Sequence, residues 1–337
     1  MHCWHRWLCA TKSFSHRCEV SIRGQNHSVT KVLVCGGAGF VGSHLVERLL
    51  ADGHAVDVVD DLSTGSLANL SDSRNIGGTL KFHHLDVSAI EFGELVGLRQ
   101  PEVIFHLALL PPQSSDTQDV LRSVPMLLSV LEAARMHGVG KVAVCIPAGL
   151  LYGEVAARYL PVKEGRKADA IGVPHVMAQT LVDLLGVYRE THGIEFTVLA
   201  TTNVYGLRQR AQDGVVAAFA SAIIREEDPE IYGNGKETRD FVYIDDAVDA
   251  LVRSINKGGG LVINIGTGIQ TTIEELWKQI GAGTTLKAKK VARRPHDISR
   301  IAVSPTRAKI QLGWSHWTSL TDGISVYKEI FARKKNS

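Results

Sequence analysis

Residues 31–42 read KVLVCGGAGFVG. Five residues rich in valine run straight into glycines. A segment from Phe40 to Asp52 follows, with apolar residues at helical spacing, and it stops at Gly53. The first part predicts a buried parallel strand. The last predicts a helix closed by a glycine beyond its C-terminal cap. Between them, Gly36-Gly37-Ala38-Gly39-Phe40-Val41-Gly42 satisfies both G-x-x-G-x-x-G and G-x-G-x-x-G. Glycines there let the backbone turn tightly and approach a pyrophosphate, whose charge then faces the helix N-terminus. The motif is weak alone, but a strand before it and a helix after it supply its context.

Working outward, Ala55–Asp60 (AVDVVD), Leu80–His84, Val103–His106, Lys141–Cys145 and Phe196–Ala200 read as further strands. Helical patterns separate several of them, notably Val120–His137 and His175–His192. Strands alternating with helices imply a parallel sheet with right-handed crossovers. The expected fold is therefore α/β, a Rossmann-type doubly wound parallel sheet with a smaller C-terminal substrate-binding lobe. Residues 29–206 are assigned to the nucleotide-binding domain, which also receives segments near 239–265. Residues 207–337, where elements shorten and glycines increase, are assigned mainly to the lobe. Asp60 ends the second strand, 18 residues past Gly42. A carboxylate there can accept hydrogen bonds from both ribose hydroxyls and would repel a 2′-phosphate, so NAD is expected rather than NADP. Asp61 is a weaker candidate for the same contact, because the Ser63-Thr64-Gly65 stretch beside it is made of turn-formers.

Composition is ordinary for a globular chain of 337 residues: 45% apolar, 21% charged, net charge +2. That balance argues against nucleic acid as a partner. No apolar run reaches the roughly 18 residues a membrane helix needs. The averages hide an uneven start. Residues 1–28 carry a charge of +3 and hold Cys3, Cys9 and Cys18, while the remainder carries −1 and only Cys35 and Cys145. The cysteine spacings do not match a zinc knuckle, so no metal is expected. Translation is expected to begin at Val29, leaving 1–28 as a leader that is disordered or outside the native product. Two cysteines in the body fit a reducing cytoplasm.

The motifs in order resemble the extended short-chain dehydrogenase/reductase family, and within it the nucleotide-sugar 4-epimerases. The matching stretches are GGAGFVGSHL at 36–45, DDLSTG at 60–65, Asp86-Val87, FHLA at 105–108, NVYG at 203–206, TRDFVYIDD at 238–246, NIGTG at 264–268, RPHD at 294–297 and LGW at 312–314. The resemblance implies NAD held by Gly36, Gly39, Phe40, Val41, Gly42, Asp60, Asp61, Asp86, Val87, Leu107 and Ala108. It implies a nucleotide sugar, most simply a UDP-sugar, at Asn203, Arg239, Arg294 and Asp297. Guanidinium geometry suits phosphate at the two arginines. Relatives pair as homodimers, and the apolar faces of Val120–His137 and His175–His192 allow the same here.

The family's reaction needs a Tyr that removes the sugar hydroxyl proton, a Lys four residues later, and a Ser or Thr. The hydroxyl position, four residues before Tyr152-Gly153, is Ala148. Leaving nine residues between Glu164 and the Tyr position puts it at Pro174 and the Lys position at Ala178. Matching the family's Pro-Tyr pair to Pro174-His175 instead gives His175 and Gln179. Neither register restores the pair. Two Y-x-x-x-K strings, Tyr159–Lys163 and Tyr232–Lys236, contain proline or paired glycines. They are read as decoys, because the i, i+4 relation works only on a helix. Three readings stay open: an epimerase using His175 as base, a non-catalytic NAD and nucleotide-sugar binder acting through a partner, and an NAD(H) redox sensor.

Overall fold

The computed structural model describes residues 29–109, 120–166, 170, 172–294 and 297–335. The leader 1–28, with its cysteines, and Pro295-His296 of the RPHD stretch lie outside the described residues. In chain order the elements are β1 (Lys31–Cys35), α1 (Phe40–Ala51), β2 (Ala55–Asp60), β3 (Leu80–His84), α2 (Glu91–Arg99), β4 (Val103–His106), α3 (Ser123–His137) and β5 (Lys141–Pro147). They continue with α4 (Ala148–Tyr152), α5 (Val173–His192), β6 (Glu195–Thr201), β7 (Asn203–Tyr205), α6 (Val215–Arg225), β8 (Glu230–Tyr232), β9 (Thr238–Arg239) and β10 (Phe241–Tyr243). The chain closes with α7 (Ile244–Ser254), β11 (Leu261–Ile265), β12 (Thr271–Thr272), α8 (Ile273–Ile280), β13 (Lys289–Val291), α9 (Thr306–Gln311) and α10 (Leu320–Lys335).

Seven strands form one sheet in the order β11-β6-β5-β4-β1-β2-β3, and every pairing in it is parallel. The valine-rich strands explain this. Val32 and Val34 face one layer, Leu33 and Cys35 the other, and all four are buried. A strand buried on both faces needs helices on both faces. Helices α1 and α7, with Trp314, cover the first; α2, α3 and α5 cover the second. Strand order reverses between β1 and β4, which opens a crevice beyond their C-terminal ends. The lobe has its own core, built from α6, α8, α10 and the strands β8 and β10. Helix α8 starts on a capping box of Thr272 and Glu275.

The seventh strand of this sheet, β11, is not among the six read from the sequence. Its valine–isoleucine run is interrupted by Asn264, which is fully buried yet satisfied. Val120 and Leu121 are helical as expected, and a turn at Arg122 separates them from helix α3, which runs from Ser123. Among the described residues no helix is long and apolar enough to cross a membrane, and no group of three or more His, Cys, Asp or Glu could hold a metal ion.

Candidate functional site

The glycine loop is built by contacts that leave no room for side chains. Gly36 turns the chain out of β1 at φ +79°, in the left-handed region that favours glycine. A Cβ there would lie 3.1 Å from the backbone nitrogen of Ala108, so the end of β4 packs directly on the loop. A Cβ on Gly42 would lie 2.7 Å from the Gly37 Cα. The Gly39 cap of α1 makes no side-chain hydrogen bond. The first amides of that helix therefore keep their donors for an anion. Phe40 and Val41 are half-buried on its opening turn, and Leu107 and Ala108 are half-buried beside Gly36.

Asp60 is buried at the end of β2. One carboxylate oxygen accepts from Ala38 N at 2.8 Å and the other from Leu62 N at 2.9 Å. Burial raises its carboxyl above the ordinary range, and these two hydrogen bonds oppose that. Each oxygen has a second lone pair for a ribose hydroxyl. The adjoining rim carries two more carboxylates. Asp61 accepts on Oδ1 from the amide and hydroxyl of Ser63. Asp86 accepts on Oδ1 from the amide and hydroxyl of Ser88. Burial works to raise Asp86, but the Ser88 hydrogen bonds and Arg122 outweigh it and hold this carboxyl low. Val87, next to it, is buried. A glycine cradle that a methyl would fill, an uncapped helix start and a buried carboxylate together fit a dinucleotide. Bound NAD would supply a hydride acceptor.

The other half of the crevice differs in character. Cys145 sits near the end of β5, its thiol pushed up to about 12 by burial. Ala148 is 0% exposed, packed with Tyr152, Val155, Ile298 and Val303. Tyr152, the nearest tyrosine in sequence, is buried and donates its hydroxyl to Asn264 Oδ1 at 2.6 Å. Its phenol is raised, chiefly by burial and then by Glu164. On α5, Pro174 is half-buried, His175 is 7% exposed, and Ala178 is 0% exposed within the apolar layer. Gln179 is exposed and donates to Asp183. Neither tyrosine of the two Y-x-x-x-K strings is on an α-helix. Tyr159 ends a 3₁₀ turn, and Tyr232 ends β8 just before two glycines of positive φ.

The lobe gathers three of its four candidates around Asp240. Asn203 N donates to the Asp240 carbonyl, and β7 pairs with β10 at Asn203 and Phe241. The fully buried Asp240 carboxylate accepts from Thr267 N, Thr267 Oγ1, Gly268 N and Val303 N. Neighbouring Arg239 donates to Asp297 Oδ1 at 2.6 Å. Arg294 is exposed, its guanidinium 3.9 Å above the Tyr232 ring. The segment after Arg294 also docks on α4. Ile298 closes on Gly149, where a Cβ would meet its Cδ1 at 3.0 Å, and Ser299 N donates to Glu154. Sequence reasoning did not single out Asp240, Asn264 or Arg122. Asp240 and Asn264 lie inside quoted motifs, so their position was visible even though their partners were not.

Residues 32–266, well over half the chain, match the NAD dependent epimerase/dehydratase family. The chain is 36% identical over 314 residues to the UDP-glucose 4-epimerase of Mycolicibacterium smegmatis, covering 90% of this chain and 99% of that protein. It superposes on the UDP-glucose 4-epimerase of Thermotoga maritima, solved with UDP-glucose, with a TM-score of 0.82 at 32% identity, covering 91% of this chain and all (100%) of that one. The UDP-glucose 4-epimerase of Thermus thermophilus, solved with NAD, gives 0.80 at 28% identity over 90% and 99% of the two chains.

Proposed function

The chain belongs to the NAD dependent epimerase/dehydratase family, and from that premise we propose that it binds NAD and a UDP-sugar without turning the sugar over by the family's tyrosine–lysine–hydroxyl route. The observation that carries this reading is Ala148. It stands where the reacting hydroxyl needs a partner, and it is sealed into a packed apolar cluster. On α5 both registers leave the tyrosine and lysine positions without those side chains. The nearby phenol, Tyr152, is held by Asn264. Losing one positioned acid or base typically costs roughly 10²–10⁴-fold in rate. Losing its two helpers as well leaves binding as the property with most support.

The glycine loop and Asp60 hold the NAD. Asn203, Arg239 and Arg294 hold the nucleotide diphosphate, and Asp297, which accepts from Arg239, completes the substrate site. Val173, Val176 and Val187 are exposed apolar residues on α5, interspersed with Gln179 and Asp183, on a face a homodimer would cover. Cys35 and Cys145 are free thiols, which fits a reducing cytoplasm.

A second reading has one observation in its favour. His175 is buried in the first turn of α5, and the imidazole of a neutral histidine has one nitrogen able to accept a proton. Incubating the protein with NAD and UDP-galactose or UDP-glucose separates the two. The expected result is saturable binding of both ligands with no interconversion. Interconversion abolished by His175→Ala would establish the second reading and overturn the first. NAD binding without any UDP-sugar binding would leave a redox sensor.

A further inference from the structure

Arg122 belongs to none of the motifs. It sits at a turn between the helical residues Val120 and Leu121 and helix α3, with helical backbone angles itself. Two carboxylates face it. The Arg122 guanidinium donates to Asp86 Oδ2 at 3.1 Å and lies 4.0 Å from Asp61 Oδ2. Those acids come from two different walls, the loop after β2 and the loop after β3. On both, a serine two residues on occupies Oδ1 and leaves Oδ2 turned to Arg122. Asp60, which faces the glycine loop, adjoins Asp61. Three carboxylates therefore crowd the rim of the crevice where the reading above places the adenosine half of NAD.

We propose that Arg122 is a positioning residue for that half. It ties Asp61 to Asp86 across the mouth of the adenosine crevice and cancels rim charge that would otherwise repel an anionic adenine nucleotide. The inference rests on the NAD-binding reading. Its electrostatic part has a signature: without the guanidinium, the rim repels the pyrophosphate, and added salt should relieve that repulsion. Because the side chain is 53% exposed, its ion pairs contribute little to folding, and a variant should fold.

The test is calorimetric titration of the full chain with NAD and with ADP, in wild type, Arg122→Ala and Arg122→Lys, at low and high salt. Arg122→Ala should weaken NAD and ADP by the same factor, roughly tenfold at low salt, the size of one charge-assisted contact. The deficit should shrink by about half or more in roughly 0.5 M salt, where the Debye length falls well below 10 Å. Arg122→Lys should recover most of the loss, because it keeps the charge. Thermal unfolding without ligand should move by no more than about 3 °C. Wild type that binds NAD while Arg122→Ala binds it equally well would overturn the inference alone. A loss that neither salt nor lysine relieves would also overturn it. Wild type that binds no NAD would overturn the underlying reading and this inference together.

Discussion

Replacing Gly42 by alanine adds one methyl group where the glycine loop and α1 touch. The new Cβ would lie 2.7 Å from the Gly37 Cα and 2.9 Å from the Gly36 carbonyl carbon, with the Gly36 oxygen nearer still. Carbon atoms pack at about 3.5–4.0 Å, so the loop and the helix must separate by roughly 0.8 Å or more. Both sides are backbone, so no rotamer can give way. Overpacking of this kind costs about 1–3 kcal/mol, while alanine's helix propensity returns up to about 1 kcal/mol. The net loss of stability should be about 1–2 kcal/mol. The functional loss should be larger, because on the proposed reading the amides of Phe40 to Gly42 at the start of α1 are the ones that meet the pyrophosphate. An NAD affinity lower by at least about tenfold is expected from a displacement of that size. Gly186 provides the control. It lies within α5, and a Cβ there meets nothing within 4 Å. Gly186→Ala should stabilise by about 0.5–1 kcal/mol and leave NAD affinity unchanged. Urea unfolding and NAD titration of the two variants decide the matter. If Gly42→Ala matches Gly186→Ala in both, the close approach of loop and helix is not what holds the cofactor.

Two buried groups should give the fold opposite responses to acid. His106 is fully buried at the end of β4, neither ring nitrogen has a partner among the described residues, and burial pushes its pKa down to about 3. The unfolded chain takes up this proton below about 6.5, so the stability His106 gives at neutral pH is lost as pH falls, by about 2 kcal/mol at pH 5. His106→Leu should therefore gain on wild type between pH 7.5 and 5 in urea unfolding; a constant gap would refute this. Asp246 is raised to about 6, chiefly by burial, against hydrogen bonds from Thr318 and Trp317. Its folded form binds a proton more tightly than the unfolded chain, so its contribution improves as pH falls from about 6 to 4. Asp246→Asn should remove that improvement, on the order of 1–3 kcal/mol, and a wild-type-minus-variant difference that stays flat over this range would count against it.

The sheet was legible where one physical rule decides each residue. β1 to β4 begin and end where the sequence reading put them; β1, β2 and β4 are short runs rich in valine or isoleucine, and β3 is a short Leu80–His84 run around Phe82. β5 and β6 run further than read because Pro147 and Thr201 still pair at their ends. The glycine loop was legible because its residue types answer a backbone requirement. What escaped notice depends on partners distant in the chain. Asn264 looks unlike a strand residue until Tyr152, 112 positions away, and Val162 satisfy it. Arg122 looks like an ordinary surface arginine until Asp86, 36 positions away, comes beside it. No local pattern encodes such meetings.

The same distinction explains how one half of the crevice can keep its form while the other changes. The NAD half is specified by backbone approach, by glycines and by one buried carboxylate that holds two amides. Those features also fix how β1, α1 and β2 pack, so changing them disturbs the fold. On the reading proposed above, the reacting half would depend on three side-chain ends that the fold does not need. At Ala148 the surrounding atoms have closed over a methyl group, with Ile298 pressed on Gly149 beside it. A serine hydroxyl put back at 148 would be buried without a partner, at about 1–3 kcal/mol. In the register that places the lysine at 178, an ammonium would enter the layer packed by Leu181 and Leu185, at a cost of several kcal/mol. Ala148 and Ala178 are thus part of the packing. A single back-substitution at 148 or 178 would have to displace its neighbours before it could reach a bound sugar.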